Sequence, residues 1–365
     1  MEIASVVGAR PNFIKLAPIH KVISTFFGHH TIIHTGQHYD YQLYEVFFKE
    51  FNLPKPNFDL DVGSGTPGYQ IGEMVKRLEN IFLGSQFDLV LVYGDTNSTF
   101  AGALSAMRSG IKVAHVESGL RSFDRRMPEE INRLLTDHLS DYLFAPTQTA
   151  IENLEREHIV GKVFYTGDIA VEIVKEAVQL SSKSLILNNL ELLPKSYILF
   201  TMHRAENTNS DYSLVSVICA FEILSKVERE MEIVFPIHPR TANILEQKNL
   251  YARLKQCKNV RLIQPVGYID FIKLMQNSKK IITDSGGVQK EAYLLGIPCI
   301  TIRKNTEWIE TVNVGWNILT DVDTDKIVKA TRGWMPQSPS TYNKIEPIFG
   351  NGQTSMIIKN LIMSF

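Results

Sequence analysis

The sequence predicts an α/β protein of two doubly wound domains. Three observations carry this reading. Short apolar runs alternate with longer amphipathic stretches along nearly the whole chain, the pattern of βαβα units around a parallel sheet. The scheme runs through the first half and then starts again in the second. At 365 residues the chain is long enough for two ordinary domains.

In the first half, strands are expected over 2–7, 30–35, 88–93, 111–116, 141–145 and 162–166. A helix over 12–27 follows from Ile14, Ala17, Val22 and Ile23. Another over 69–83 follows from Ile71, Met74, Val75, Leu78 and Phe82 at helical spacing. A helix over 128–140 opens with Pro128 in its first turn and acids at its positive end. Residues 179–195, rich in Ser, Lys and Asn and carrying Pro194, read as a linker. Strands follow over 197–202, 232–236, 260–263, 280–283, 298–302 and 316–319. A closing helix over 353–364, with Met356, Ile357, Asn360 and Leu361, is expected to return to the first domain. The expectation is thus two Rossmann-like domains, 1–180 and 195–350, facing a central cleft.

Composition excludes several classes of function. Lys plus Arg (38) balances Asp plus Glu (39), so bulk charge points to neither nucleic acid nor a membrane surface. Cys219, Cys257 and Cys299 are odd in number and far apart, which argues for a reducing compartment and against a disulfide framework. No CxxC pair suggests a zinc ribbon. The N-terminus lacks a basic n-region, and no apolar stretch reaches bilayer length. A soluble cytoplasmic protein is expected.

Chemistry-bearing residues gather where the apolar runs end, which is where parallel α/β sheets bind ligands. The densest case follows the run ending at Val116: Glu117, Arg121, Glu129, Glu130 and Arg133 suit an enzyme acting on an anionic substrate. Gly8-Ala9-Arg10-Pro11, with Lys15 a turn later, suits a diphosphate at a helix N-terminus, or equally a tight turn with exposed cations. Asp95, after Tyr93-Gly94, is by itself a helix cap; beside Glu117 it becomes a candidate for chemistry. His203 is packed in sequence with Arg204, Glu206 and Asn207, and His238 repeats the His/Arg theme one strand later. In Thr283-Asp284-Ser285-Gly286-Gly287, small residues open a helix where a phosphate can approach free N–H groups. Glu291, a turn further on, can accept both hydroxyls of a ribose.

Three patterns are weaker. Residues 63–68 fit G-x-G-x-x-G, but the preceding Pro54-Lys55-Pro56-Asn57-Phe58-Asp59 is a poor central strand, so a nicotinamide site is not expected. Tyr251 and Lys255 fit Tyr-x3-Lys on what reads as a solvated helix. His29, His30, His34 and His38 lack a partner at ligand spacing, so no metal is expected.

Together the strand-end motifs resemble the non-hydrolysing UDP-N-acetylglucosamine 2-epimerase family. The carriers are Gly8-Ala9-Arg10-Pro11 with Lys15, Gly36-Gln37-His38, Gly94-Asp95-Thr96, His115-Val116-Glu117-Ser118-Gly119-Leu120-Arg121, Pro128-Glu129-Glu130-Ile131-Asn132-Arg133, His203-Arg204-Ala205-Glu206-Asn207 and 284–291. The resemblance implies a GT-B fold, usually as a homodimer, with no cofactor and a UDP-sugar substrate. By it, Asp95, Glu117, Glu129 and His203 match the catalytic group. Arg10, Lys15, Ser285, Gly286, Gly287 and Glu291 match UDP contacts, and Val266 and Phe271 match the uracil site. Arg133 and His238 join them as substrate-side candidates.

The family chemistry couples removal of the C2 proton to loss of UDP from C1, giving a 2-acetamidoglucal. UDP then adds back while C2 is protonated on the other face. This needs acid and base groups at the sugar and cations or helix dipoles at the diphosphate. One departure bears on the sugar. Where family members acting on plain UDP-GlcNAc usually have Thr-Glu-Arg-Pro-Glu, this chain has Thr306-Glu307-Trp308-Ile309-Glu310. Trp308 thus replaces an arginine that borders the substrate. The Glu-Trp form looks like relatives that epimerise UDP-2,3-diacetamido-2,3-dideoxyglucuronic acid. Gly167-Asp168-Ile169 departs from Gly-Asn-Thr. A hydrolysing 2-epimerase, a GT-B glycosyltransferase and a non-catalytic nucleotide-sugar sensor are the competing readings.

Overall fold

The computed structural model describes residues 1–37, 50–228, 230–336 and 347–365. His38 and the Arg10 side chain lie outside the described residues. The chain forms two compact units, Met1–Ile173 with Pro347–Phe365, and Val174–Glu346. The division falls inside the helix Ala170–Ser181.

Unit 1 holds a parallel sheet of β1 (Ile3–Val7), β2 (His30–His34), β3 (Phe58–Asp59), β4 (Leu89–Tyr93), β5 (Lys112–Val116), β6 (Tyr142–Ala145) and β7 (Lys162–Tyr165). Their spatial order is β3-β2-β1-β4-β5-β6-β7. Strands β1 and β4 are buried at every position, so they read as continuous apolar runs rather than alternating ones. The helix Asn97–Arg108 lies close on them through Ala101, Gly102, Ala103 and Ala106; a Cβ on Gly102 would stand 3.0 Å from Val6 and Val92. Met74, Leu78 and Phe82 of the helix Pro67–Leu83 complete that core. Each such fully buried large side chain contributes about 1.5–3 kcal/mol.

Strand β3 departs from expectation. It is an edge strand of two exposed residues in the stretch judged too proline-rich for a central one. The G-x-G-x-x-G loop follows it, and the Gln70 amide fills that loop by donating to the Gly63 carbonyl at 2.8 Å. The C-terminal helix Thr354–Ile362 packs on the helix Arg10–Phe27 of the same unit, and Phe365 stacks on Tyr142 at 3.6 Å.

Unit 2 repeats the plan with β8 (Tyr197–Thr201), β9 (Glu232–Pro236), β10 (Val260–Ile263), β11 (Lys280–Thr283), β12 (Cys299–Thr301) and β13 (Asn317–Leu319), all parallel. The order is β10-β9-β8-β11-β12-β13. Phe200 sits edge-on between Phe221 and Phe235, with ring centroids at 4.8 and 4.6 Å. Each sheet reverses its strand order once, between β1 and β4 and between β8 and β11. The carboxyl ends at such a switch point are where open α/β sheets bind ligands. Among the described residues, no helix is long and apolar enough to cross a membrane.

One buried polar chain crosses unit 1. Ser5 Oγ lies 2.7 Å from His30 Nε2 and 2.6 Å from the Tyr93 hydroxyl, and His30 Nδ1 lies 3.0 Å from His20 Nδ1. Burial, with His20 beside it, pushes His30 down to about 3, and burial also lowers His20. The unfolded chain protonates histidine near pH 6.5. Above that pH the neutral rings carry no penalty; stability declines as pH falls from there toward about 3. Thermal unfolding of wild type is therefore expected to weaken between pH 6.5 and 4.5 by on the order of 1 kcal/mol per pH unit. A His30→Asn variant should show a flatter dependence, and parallel curves would remove His30 from the acid response.

Candidate active site

The sequence-derived candidates fall at the carboxyl ends of the strands. In unit 1, Gly8 passes so close to Thr35 and Ser98 that a Cβ there would lie 1.9 Å from Thr35 Oγ1. Asn12 accepts from the N–H groups of Gly8 and Ala9 and donates to the Tyr93 carbonyl at 2.8 Å. It thereby ties the end of β1 to the end of β4. One turn on, Lys15 Nζ donates to Glu117 Oε1 at 2.5 Å, both side chains being largely buried. The ammonium that the resemblance matched to UDP thus engages the neighbouring carboxylate.

Glu117 has φ +73°, a left-handed conformation uncommon for a non-glycine residue. The Phe144 carbonyl accepts from the N–H groups of both Glu117 and Ser118, which holds this turn in place. Gly94, on the adjacent strand end, has φ +66°, and a Cβ there would meet Lys15 Nζ at 2.7 Å. Backbone strain of this kind collects at functional sites.

Asp95 is not the helix cap. Thr96 takes that place, its hydroxyl accepting from the Thr99 N–H, and Asp95 pairs with Arg133. Arg133 is 2% exposed and also reaches Glu130 Oε2 at 3.2 Å. Glu130 accepts from the Ser122 N–H and hydroxyl and the Phe123 N–H, so it organises the loop before the helix Pro128–Leu139. Glu129 is half-buried in the first turn of that helix.

Arg121, grouped by sequence with the substrate-facing charges, is buried in a structural network instead. It forks onto Glu157 through two 2.7 Å bonds and reaches Asp137 Oδ2 at 2.7 Å. Asp137 Oδ1 lies 2.6 Å from His115 Nδ1, and His115 Nε2 lies 2.7 Å from the Gly94 carbonyl. The network thus sits directly behind Gly94 and Glu117. In sequence His115 stands only as the first residue of a motif, with no role of its own, and Asp137 is not singled out.

In unit 2, Asp284 is fully buried and accepts from the N–H groups of His203 and Arg204 and from Asn207 Nδ2. It joins the ends of β8 and β11 across the switch point. The His203 ring is half-exposed, with Nδ1 3.6 Å from Asp284 Oδ1. Ser285 is the N-cap of the helix Gly286–Leu294 and makes no side-chain cap bond. A Cβ on Gly286 would lie 2.0 Å from Glu307 Oε1, whereas Gly287 is open. Glu307 is held by Arg303 at 2.8 Å and Arg204 at 3.4 Å. Glu291 lies further along that helix, and the Tyr268 hydroxyl donates to its Oε1 at 2.8 Å.

Val266, in the loop after β10, and Phe271, in the first turn of the helix Tyr268–Asn277, are both half-buried. His238 is an exposed N-cap whose Nδ1 accepts from the Arg240 N–H at 3.2 Å, so it serves its own helix. Trp308 is 3% exposed, and Lys290 Nζ lies 4.2 Å from its ring centroid. The Thr306 hydroxyl, donating to Gln289 Oε1 at 2.6 Å, anchors this segment to the same helix. No group of three or more potential metal ligands occurs among the described residues. His34 instead contacts Asp59 at 3.1 Å.

Comparison with known proteins assigns the chain to a family. A family model described as UDP-N-acetylglucosamine 2-epimerase matches residues 26–363. A Methanococcus maripaludis protein described as a UDP-N-acetylglucosamine 2-epimerase homolog is 50% identical over 364 residues, covering 99% of each chain. A Pseudomonas aeruginosa UDP-2,3-diacetamido-2,3-dideoxy-D-glucuronate 2-epimerase is 41% identical over 360 residues, 97% of each. The crystal structure of the Methanocaldococcus jannaschii UDP-GlcNAc 2-epimerase, in complex with UDP-GlcNAc and UDP, superposes with a TM-score of 0.93 at 42% identity over the whole of both chains. The α/β fold of two parallel sheets is thus that of the GT-B-like epimerases, and with the family model spanning nearly its full length the chain belongs to the UDP-N-acetylglucosamine 2-epimerase family.

Proposed function

We propose that the protein interconverts UDP-N-acetylglucosamine and UDP-N-acetylmannosamine by elimination and re-addition of UDP. A base removes the C2 proton as the C1–O bond breaks and UDP leaves with the bonding pair. UDP then re-adds at C1 as C2 takes a proton on the opposite face. Asp95, Glu117, Glu129 and His203 are assigned to acid and base work at the sugar. The N–H groups of Ser285, Gly286 and Gly287, with Arg10 and Lys15, are assigned to the leaving diphosphate. Glu291 is assigned to the ribose, and Val266 and Phe271 to the uracil. The observation that carries the proposal is Glu117, strained and held by Lys15 beside Asp95 and Arg133. The same reading carries a homodimeric cytoplasmic enzyme that supplies precursors of cell-surface polysaccharide.

Trp308 favours a second reading of the substrate. Its ring lies buried against Lys290 where an arginine borders the substrate in the family pattern, and the relative from P. aeruginosa acts on a diacetamido uronate. Proton NMR of the protein in D2O, with no cofactor added, separates the two. With UDP-GlcNAc, a UDP-ManNAc signal carrying deuterium at C2 is expected. Turnover of the diacetamido uronate alone would assign the second reading. Binding of both with exchange into neither would leave a nucleotide-sugar sensor.

A further inference from the structure

Tyr268 opens the helix Tyr268–Asn277, directly after its N-cap Gly267. It is 2% exposed, and its hydroxyl donates to Glu291 Oε1 at 2.8 Å. A buried phenol needs a partner, so the choice of partner is what informs. Tyr197, equally buried, uses the Leu274 carbonyl, a main-chain acceptor inside the unit. Tyr268 instead reaches a half-buried carboxylate on the helix whose N-terminus is assigned to the diphosphate. In sequence it lies between Val266 and Phe271, assigned to the uracil.

We propose that Tyr268 is a positioning residue that aims the Glu291 carboxylate at the ribose and so makes the site selective for ribonucleotides over 2′-deoxyribonucleotides. The inference rests on the assignment of Glu291 to the ribose. An ionised carboxylate accepts about four hydrogen bonds, and the Tyr268 phenol takes one of those positions and so helps set the direction of the rest. A site built to hydrogen-bond a hydroxyl discriminates strongly against the analogue that lacks it. That discrimination requires a carboxylate that cannot swing to compensate. Without the phenol, Glu291 loses a contact that orients it toward the ribose, and a missing 2′-hydroxyl becomes easier to tolerate.

The test is calorimetric titration of UDP and 2′-deoxy-UDP into wild type, Tyr268→Phe and Glu291→Ala. Tyr268→Phe removes one oxygen and keeps the buried ring, and unfolding curves verify that it folds. Wild type is expected to prefer UDP by about tenfold or more, the effect of a hydrogen bond to a charged group. Tyr268→Phe should compress that preference severalfold, chiefly by weakening UDP, and Glu291→Ala should erase it. Equal weakening of both nucleotides by Tyr268→Phe would overturn the inference and leave a packing role. Wild type that binds UDP, with Glu291→Ala unchanged, would overturn the ribose assignment and the inference with it. Failure of wild type to bind UDP would overturn the nucleotide reading itself.

Discussion

Glu117→Gln is expected to slow deuterium entry at C2 by about 10³-fold, within the range that a positioned acid or base contributes. UDP binding is expected to stay nearly intact, because the residues assigned to UDP beyond Arg10 and Lys15 belong to the second unit and the new amide oxygen can still accept from Lys15. Glutamine keeps the length and shape of the side chain but cannot take up a proton. The left-handed turn should survive the change. It is held by main-chain bonds from Glu117 and Ser118 to the Phe144 carbonyl, and the Lys15 ammonium can still donate to the amide oxygen. Retained UDP binding with lost exchange would therefore locate the defect in chemistry. Exchange at the wild-type rate would remove Glu117 from the mechanism. Exchange and UDP affinity falling together would make the residue a scaffold for its neighbours.

The central strands were legible because burial on both faces leaves an uninterrupted apolar run, as in Leu89–Tyr93. β3 was not: two exposed residues at a sheet edge carry no such signature. The candidate carboxylates were legible as strand-end residues, but their partners were not. Asp95 resembles a cap in sequence, and only the structure shows Thr96 capping while Asp95 meets Arg133. Arg121 and Arg133 are indistinguishable in sequence from substrate-facing cations. The fold buries both, where an unpaired charge would be costly, and each is matched by two carboxylates. Asp284 holds the main chain of His203 and Arg204 from some eighty positions away, and Tyr268 meets Glu291 across two helices. Such pairs form only when parallel strands bring remote carboxyl ends together, so spacing along one chain carries no trace of them.

Asp137→Asn is expected to be the most damaging single change to stability, at about 3–5 kcal/mol, the usual cost of breaking a buried charge pair from one side. For a chain of this size that corresponds to a fall in Tm of roughly 5 °C. Asp137 is fully buried between His115 Nδ1, Arg121 Nη1 and the Gly119 N–H, at 2.6, 2.7 and 3.1 Å. Asparagine has one acceptor oxygen for this set. Its NH2 must then face either the imidazole or the guanidinium, and the Arg121 charge loses part of its match. Burial alone would raise the Asp137 carboxyl; the charges and hydrogen bonds of His115 and Arg121 more than offset it and hold it below the ordinary value. A lowered carboxylate stabilises the fold above its unfolded value near 3.9, and that contribution is lost as pH falls through the lower folded value. The gap between wild type and variant, measured by thermal unfolding, should therefore be full at pH 7 and narrow only in strong acid. Because His115 also holds the Gly94 carbonyl, a folded Asp137→Asn protein should lose turnover more than UDP affinity. Unchanged Tm at pH 7 would show that the network's charges are matched without Asp137, and would release the strand ends at Gly94 and Glu117 from its control.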